Sequence, residues 1–291
     1  MALSDAEADE IDAALQNWRQ GDITLDAGLE FLYFGDLMRP HSPASQQTAA
    51  ALAAAGEEIA GGPAPLLDEV AGLVVLSQTC DVIRRCRARP FVEVAPLIRL
   101  DADTVEAARR LKSPAFAYVP TVAPHGLVAD LDRVMTVEKA LMARWTRVPG
   151  WTTDDEVRAF AQALSRKRMR FAFPDDFVSA ARRLQARLAD KHNRDSDEGK
   201  HLRALREIRV RAAPSWDAEE VQINWWFIKD RDPSEVEVTA WGSFAEKWLT
   251  LFDWSGRFSA DPPVVCRLED MTARDYTESD LLDLDRLSAP Q

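Results

Sequence analysis

The sequence predicts an α+β protein in two parts: a β-rich stretch with helical insertions over residues 1–150, and an α+β domain over residues 151–291. Three observations lead there. Apolar runs of strand length, Ala71–Leu76 and Phe91–Ile98, mark the first part. Helix-period segments at 153–169 and 176–192 open the second. Alternating runs at 207–212, 219–228 and 234–240 follow, so helices precede a β-β-β-α-β order instead of alternating with strands. A length of 291 residues accommodates about two domains of ordinary size.

Each element has a local cause. Ser4 with Glu7 is a capping-box pattern, and Ile11, Ala14, Leu15 and Trp18 fall at helical spacing, so a helix opens the chain and ends at Gly21. Gly21–Phe34 reads as one or two short strands around Gly28. The small-residue stretch at 40–65 is an insertion between strands, with an Ala-rich helix at 44–55 and flexible edges at Gly61-Gly62. Ala71–Leu76 is short enough for a buried strand and runs into Ser77-Gln78-Thr79-Cys80-Asp81. After an Arg-rich turn, Phe91–Ile98 supplies its partner, with Pro90 and Pro96 marking edges or a bulge. A helix at 103–112, a strand at 115–122 and a helix at 136–145 complete this part, which ends near Pro149-Gly150.

In the second part, helices at 153–169, 176–192 and 197–205 precede the three strands, the last two joined by a turn at 230–233. A helix at 241–252 places Trp241, Phe244, Trp248, Leu251 and Phe252 on one stripe, and a strand at 263–268 closes the pattern. Trp225 and Trp226 are adjacent on a strand and so point to opposite faces; the second face needs a cover, either a partner or the N-terminal part.

Composition narrows the function classes. Apolar residues at 46% and charged residues at 29% exclude wholesale disorder. No run of about 18 uncharged apolar residues occurs, so no membrane span is expected. The acidic, amphipathic N-terminus lacks the basic and apolar regions of a secretory signal, and three cysteines (Cys80, Cys86, Cys266) argue for a reducing cytoplasm. The net charge of −12 is uneven: residues 166–211 hold fourteen Lys/Arg against seven Asp/Glu. That band is a solvated face paired with acids of the same chain, a phosphate-tracking surface, or an interface for a protein.

Gly21-Asp22-Ile23, the run Gly72–Ser77 (Gly-Leu-Val-Val-Leu-Ser) and Val92–Ile98 resemble the PemK/MazF-like group over roughly residues 20–145. The resemblance implies a small SH3-like barrel, a place in a toxin–antitoxin or defence-type system, and a homodimer. Two departures limit it. The family's ribonucleases carry an Arg just ahead of the first strand, where this chain has Glu69, Val70 and Ala71, and a Ser or Thr at the end of the partner strand, where Leu97, Ile98 and Arg99 stand. The resemblance therefore carries the barrel but not the family's catalytic pair.

What stands at the strand end instead is Ser77, Thr79, Cys80 and Asp81, the candidate catalytic group. Arg84, Arg85, Arg87 and Arg89 follow as candidate phosphate or nucleic-acid ligands, and their charge would favour a Cys80 thiolate. A nucleophile also needs a base; of His41, His125, His192 and His201, the first two lie in the same half. The alternatives are an inert buried Cys80 with Asp81 turning the chain, and a ligand pocket without covalent chemistry. No metal site is expected: Cys80 and Cys86 lack zinc spacing, and the polar run His192–His201 carries Arg194 and Lys200 among its ligand types. Phe173–Phe177 reads as an Asp N-cap before a helix. Walker A, dinucleotide-glycine and Gly-x-Ser-x-Gly motifs are absent. The expectation is a cytoplasmic binding or regulatory component with no cofactor, engaging a protein partner or RNA. The alternative is an RNA-cleaving enzyme working at 77–89.

Overall fold

The computed structural model describes residues 3–59, 61–111, 113–169, 171–230 and 241–282; the strand expected at 234–240 lies outside them. The fold is mixed α+β, and the chain divides into two units, Met1–Arg168 and Met169–Gln291. The change of character at Pro149-Gly150 therefore falls inside the first unit. The helix Asp154–Arg168 belongs there because it lays Phe160 and Ala163 into that unit's core.

The first unit is organised by one nine-residue strand, Phe91–Arg99. On one edge it pairs antiparallel with Leu73–Val75. On the other, its first half pairs with Met135–Glu138 and its second half with Leu127–Asp130. Ile23–Thr24 extends the sheet beyond Leu73–Val75, and Phe116–Ala117 extends it beyond Leu127–Asp130. The strands form open sheets: this six-stranded one, and a separate hairpin of Glu30–Asp36 with Pro63–Glu69.

Both faces of the central strand are buried. Val92 and Val94 pack with Leu15, Trp18, Phe31 and Met142 on one side, while Ala95 and Leu97 pack with Val74, Val119, Leu127 and Phe160 on the other. That is why its sequence is continuously apolar from Val94 to Ile98.

Several expectations need correction. The first helix spans Asp5–Leu15, with its capping box formed, and ends well before Gly21. Gly21 instead takes φ +85° and donates its N–H to the Val75 carbonyl, so it serves the sheet. The expected helix at 136–145 is a strand, Met135–Glu138, followed by one helical turn, Lys139–Met142. Val137 faces the core while Thr136 and Glu138 are exposed, a period of two that outranks the helical reading. The strand at 115–122 shrinks to Phe116–Ala117. The insertion is a helix, Pro43–Ala55, capped by Ser42 and ended by Gly56 at φ +71°, and it is followed by the unforeseen strand Pro63–Glu69.

The second unit packs the helices Asp175–His192, Asp197–Ala204 and Trp241–Leu249 on a five-stranded sheet. Strands Leu205–Ala213 and Val221–Lys229 pair antiparallel, and Asp280–Leu282 flanks the former. The far edge of Val221–Lys229 carries two short parallel strands, Phe258–Ala260 and Val264–Arg267. Between these lies Asp261-Pro262-Pro263, whose Asp261 accepts from the amides of Gln222 (2.6 Å) and Asn224 (2.8 Å). Val221, Ile223, Trp225 and Phe227 face the helices. Asp176 does not cap its helix; it holds Arg257 through both carboxylate oxygens.

Gly72 tests the sheet directly. A methyl there would sit 2.6 Å from the Thr24 carbonyl and 2.7 Å from a Leu25 methyl. Gly72→Ala is expected to destabilise the protein by about 1–3 kcal/mol in urea unfolding.

Candidate functional site

Leu73–Val75 delivers the chain to the strand end, and backbone pairing then fixes the polar cluster that follows. Leu76 donates to the Glu93 carbonyl at 2.9 Å, and the Ser77 hydroxyl accepts the Glu93 N–H at 2.8 Å. Thr79 opens a single helical turn, Thr79–Val82, and its hydroxyl accepts the Gln20 N–H at 3.1 Å. The Gln20 side chain donates to the Leu76 carbonyl at 2.7 Å. Both hydroxyls therefore join separate chain segments.

Beneath this turn lies Lys139, 1% exposed, which no sequence motif singles out. Its ammonium donates to the carbonyls of Asp81 (2.7 Å) and Arg84 (2.5 Å), closing the C-terminal end of the turn and setting the path of the Arg-rich loop. Burial lowers its pKa from the ordinary 10.5, opposed by the nearby Asp12, Cys86 and Asp81.

Beside the turn a concavity of about 730 Å³ opens. Its floor is the first half of the central strand, where Phe91, Val92 and Glu93 lie beside Thr136. Its walls are Gln20, Leu76, Ser77, Gln78, Asp81 and Arg89 on one side, and the last turns of the helix Asp154–Arg168 on the other. Arg168 crosses to Glu93 at 2.5 Å. The Arg89 guanidinium has no partner among the described residues, and the Phe91 ring is 56% exposed.

The structure brings together some of the expected site residues and separates others. Ser77, Asp81 and Arg89 line the concavity; Thr79, Cys80, Arg84, Arg85 and Arg87 do not. Cys80 is exposed, with Sγ 3.6 Å from the Gln78 amide oxygen. Arg84 lies 3.9 Å from Asp81, and Arg87 reaches back to Asp5 (2.6 Å) and the Leu3 carbonyl (2.9 Å). Arg85 is exposed. No histidine lines the concavity: His41 and His125 are exposed elsewhere.

Cys86 is buried against the first helix, where desolvation raises its pKa, and its N–H donates to Asp12 at 2.7 Å. Among the described residues, no group of three His, Cys, Asp or Glu side chains is placed to hold a metal. The polar run at 192–201 has another use. Glu198 takes a bidentate hydrogen bond from Arg187 and one from Trp248, and His201 packs between the rings of Trp241 and Phe244.

The basic band is divided between the units and largely neutralised within each. In the first unit Arg166 bonds the Leu111 carbonyl, Lys167 pairs with Asp132 and Arg168 with Glu93. In the second, Arg187, Lys191, Arg194, Arg206, Arg209 and Arg211 all have carboxylate partners. Trp226 is likewise covered by its own unit. It packs with Ile228, Cys266 and Met271, and the Arg211 guanidinium lies 5.3 Å from its ring centre.

No helix among the described residues is long and apolar enough to cross a membrane. Scans of protein-family models, of curated proteins and of solved structures each find no match to this chain.

Two outcomes follow. Lys139→Met removes the ammonium that two part-buried carbonyls accept from and is expected to cost about 1–3 kcal/mol. Because the folded pKa of Lys139 lies below 10.5, the unfolded chain binds more protons between the two values. Wild-type stability should therefore gain a contribution as pH rises through that window, and urea titrations of the variant should lack it. Separately, iodoacetamide should alkylate only exposed Cys80 in the native protein, with Cys86 and Cys266 reacting after unfolding, as read by intact mass.

Proposed function

We propose that this chain is a non-catalytic binding and regulatory component of a bacterial toxin–antitoxin or defence-type system. In this reading it works in the cytoplasm and takes single-stranded RNA into the concavity beside Ser77–Arg89. Residues 20–145 are the SH3-like, PemK/MazF-type element. That relation rests on the sequence resemblance; the strands around Phe91–Arg99 are antiparallel neighbours in an open sheet. The three free cysteines support a reducing compartment.

The observation that carries the functional reading is the set of groups gathered in one open concavity. An exposed aromatic ring (Phe91) offers a base its face. The adjacent unpaired guanidinium of Arg89 suits a phosphate. Gln20, Gln78 and Thr136 supply hydrogen-bonding groups for base edges or ribose hydroxyls. Catalysis is disfavoured by how the expected nucleophiles are used. Ser77 and Thr79 accept backbone N–H groups, and Cys80 lies outside the concavity with no imidazole beside it. The second reading, an RNA-cleaving enzyme, is favoured by one feature, the Asp81 carboxylate lining the same space as Arg89.

The two readings separate in one experiment. Labelled single-stranded RNA should bind the purified chain by fluorescence anisotropy, and Arg89→Ala and Phe91→Ala should each weaken binding about tenfold. The RNA should remain intact. Degradation that disappears in a Cys80→Ala, Asp81→Ala double variant would establish the enzyme instead, and unchanged affinity in both single variants would exclude this concavity as the RNA site.

A further inference from the structure

The hairpin Glu30–Asp36/Pro63–Glu69 has two unlike faces. Phe31 and Leu66 are buried on the inner one. On the outer one the register sets Leu32 opposite Leu67 and Phe34 opposite Pro65. These side chains are open to water, Phe34 at 69% and Leu67 at 58%. Met38, just past the first strand, is 64% exposed. A contiguous apolar surface on one side of a sheet is costly to leave in water and marks a contact face.

Charge identifies the occupant. Residues 26–69 hold seven carboxylates (Asp26, Glu30, Asp36, Glu57, Glu58, Asp68, Glu69) and one cation, Arg39. Arg39 is already paired with Asp36, and Asp68 is paired with Arg133. Glu30 and Glu69 face each other directly across the two strands, at the end of the same apolar row, and neither has a cationic partner among the described residues. Like charges opposed in this way repel. A second copy of the chain would bring another such pair and a further charge of −12 to the contact, and an anionic lipid surface would add repulsion of the same sign.

We propose that the outer face of this hairpin docks a basic, apolar segment of a partner protein. Its aliphatic side chains cover Leu32, Phe34, Pro65 and Leu67, and a Lys or Arg sits between Glu30 and Glu69. The site is separate from the RNA concavity and stands whether or not that reading holds.

The test uses the full chain and a fluorescein-labelled amphipathic peptide of leucine and lysine, with a leucine–glutamate peptide and phosphatidylglycerol vesicles as comparisons. The lysine peptide should bind and the glutamate peptide should not. Phe34→Ser/Leu67→Ser and Glu30→Gln/Glu69→Gln should each weaken binding about tenfold, with circular dichroism and melting unchanged. Asp154→Asn/Asp155→Asn, which removes two exposed carboxylates elsewhere, should leave the affinity as it is. If the serine variant fails to fold, the glutamine variant decides. The proposal is overturned by an equal loss in the Asp154/Asp155 variant, which would reduce the effect to net charge, or by unchanged affinity in the glutamine variant. It is also overturned if light scattering shows a dimer that the hairpin variants dissociate, or if the vesicles bind through Phe34.

Discussion

The N-terminal unit depends on one constraint: the strand Phe91–Arg99 is longer than any neighbour that pairs with it. No single partner satisfies its backbone groups, so the edge opposite Leu73–Val75 is shared by Met135–Glu138 and Leu127–Asp130. Where the two sharers hand over, the strand's environment changes. From Ala95 to Leu97 its odd-numbered residues are sealed under Phe160 and Ala163. From Phe91 to Glu93 the same face opens, because the covering helix reaches that end only with its last turns. The concavity is thus the unsealed end of a core, and its floor has the rigidity of a central strand.

That origin explains the division of labour among the polar residues around it. Those nearest the backbone, Ser77 and Thr79, are used as acceptors that join segments distant in sequence. Lys139 does the same from below with a full charge, a buried cation stabilised by carbonyls whose loss of water would otherwise be uncompensated. The groups left over are the longer ones, Gln78 and Arg89, whose heads reach past the scaffold. In the second unit the same economy appears with aromatic groups. Trp225 fills the core, while Trp226 is closed off by Met271 and Arg211, so the adjacent tryptophans need no surface beyond their own unit.

Much of the fold was legible in the sequence because it follows short-range rules. The capping box at Ser4, the Ala-rich insertion helix, the strand at Phe91 and the long helices at 154–168 and 175–192 all rest on local spacing and end signals. The misses have physical reasons. Pro63–Glu69 carries two prolines and reads as a linker, yet it survives as an edge strand whose Leu66 is held by the insertion helix's cluster. Met135–Glu138 is held as a strand by its partner, a long-range fact. At the site, the cluster 77–81 was visible as polar residues after an apolar run. Gln20, Thr136, Lys139 and Arg168 were not, since each comes from a separate segment and only folding assembles them.

One further feature concerns what the second unit avoids. The outer edge of Val221–Lys229 is finished not by a continuous ribbon but by two short pieces split at Asp261-Pro262-Pro263. Proline has no amide hydrogen to offer, and Asp261 is committed to Gln222 and Asn224. A stray β-strand approaching from that side finds an interrupted template. Along that edge the break leaves no unbroken row of backbone donors and acceptors for an added strand to follow.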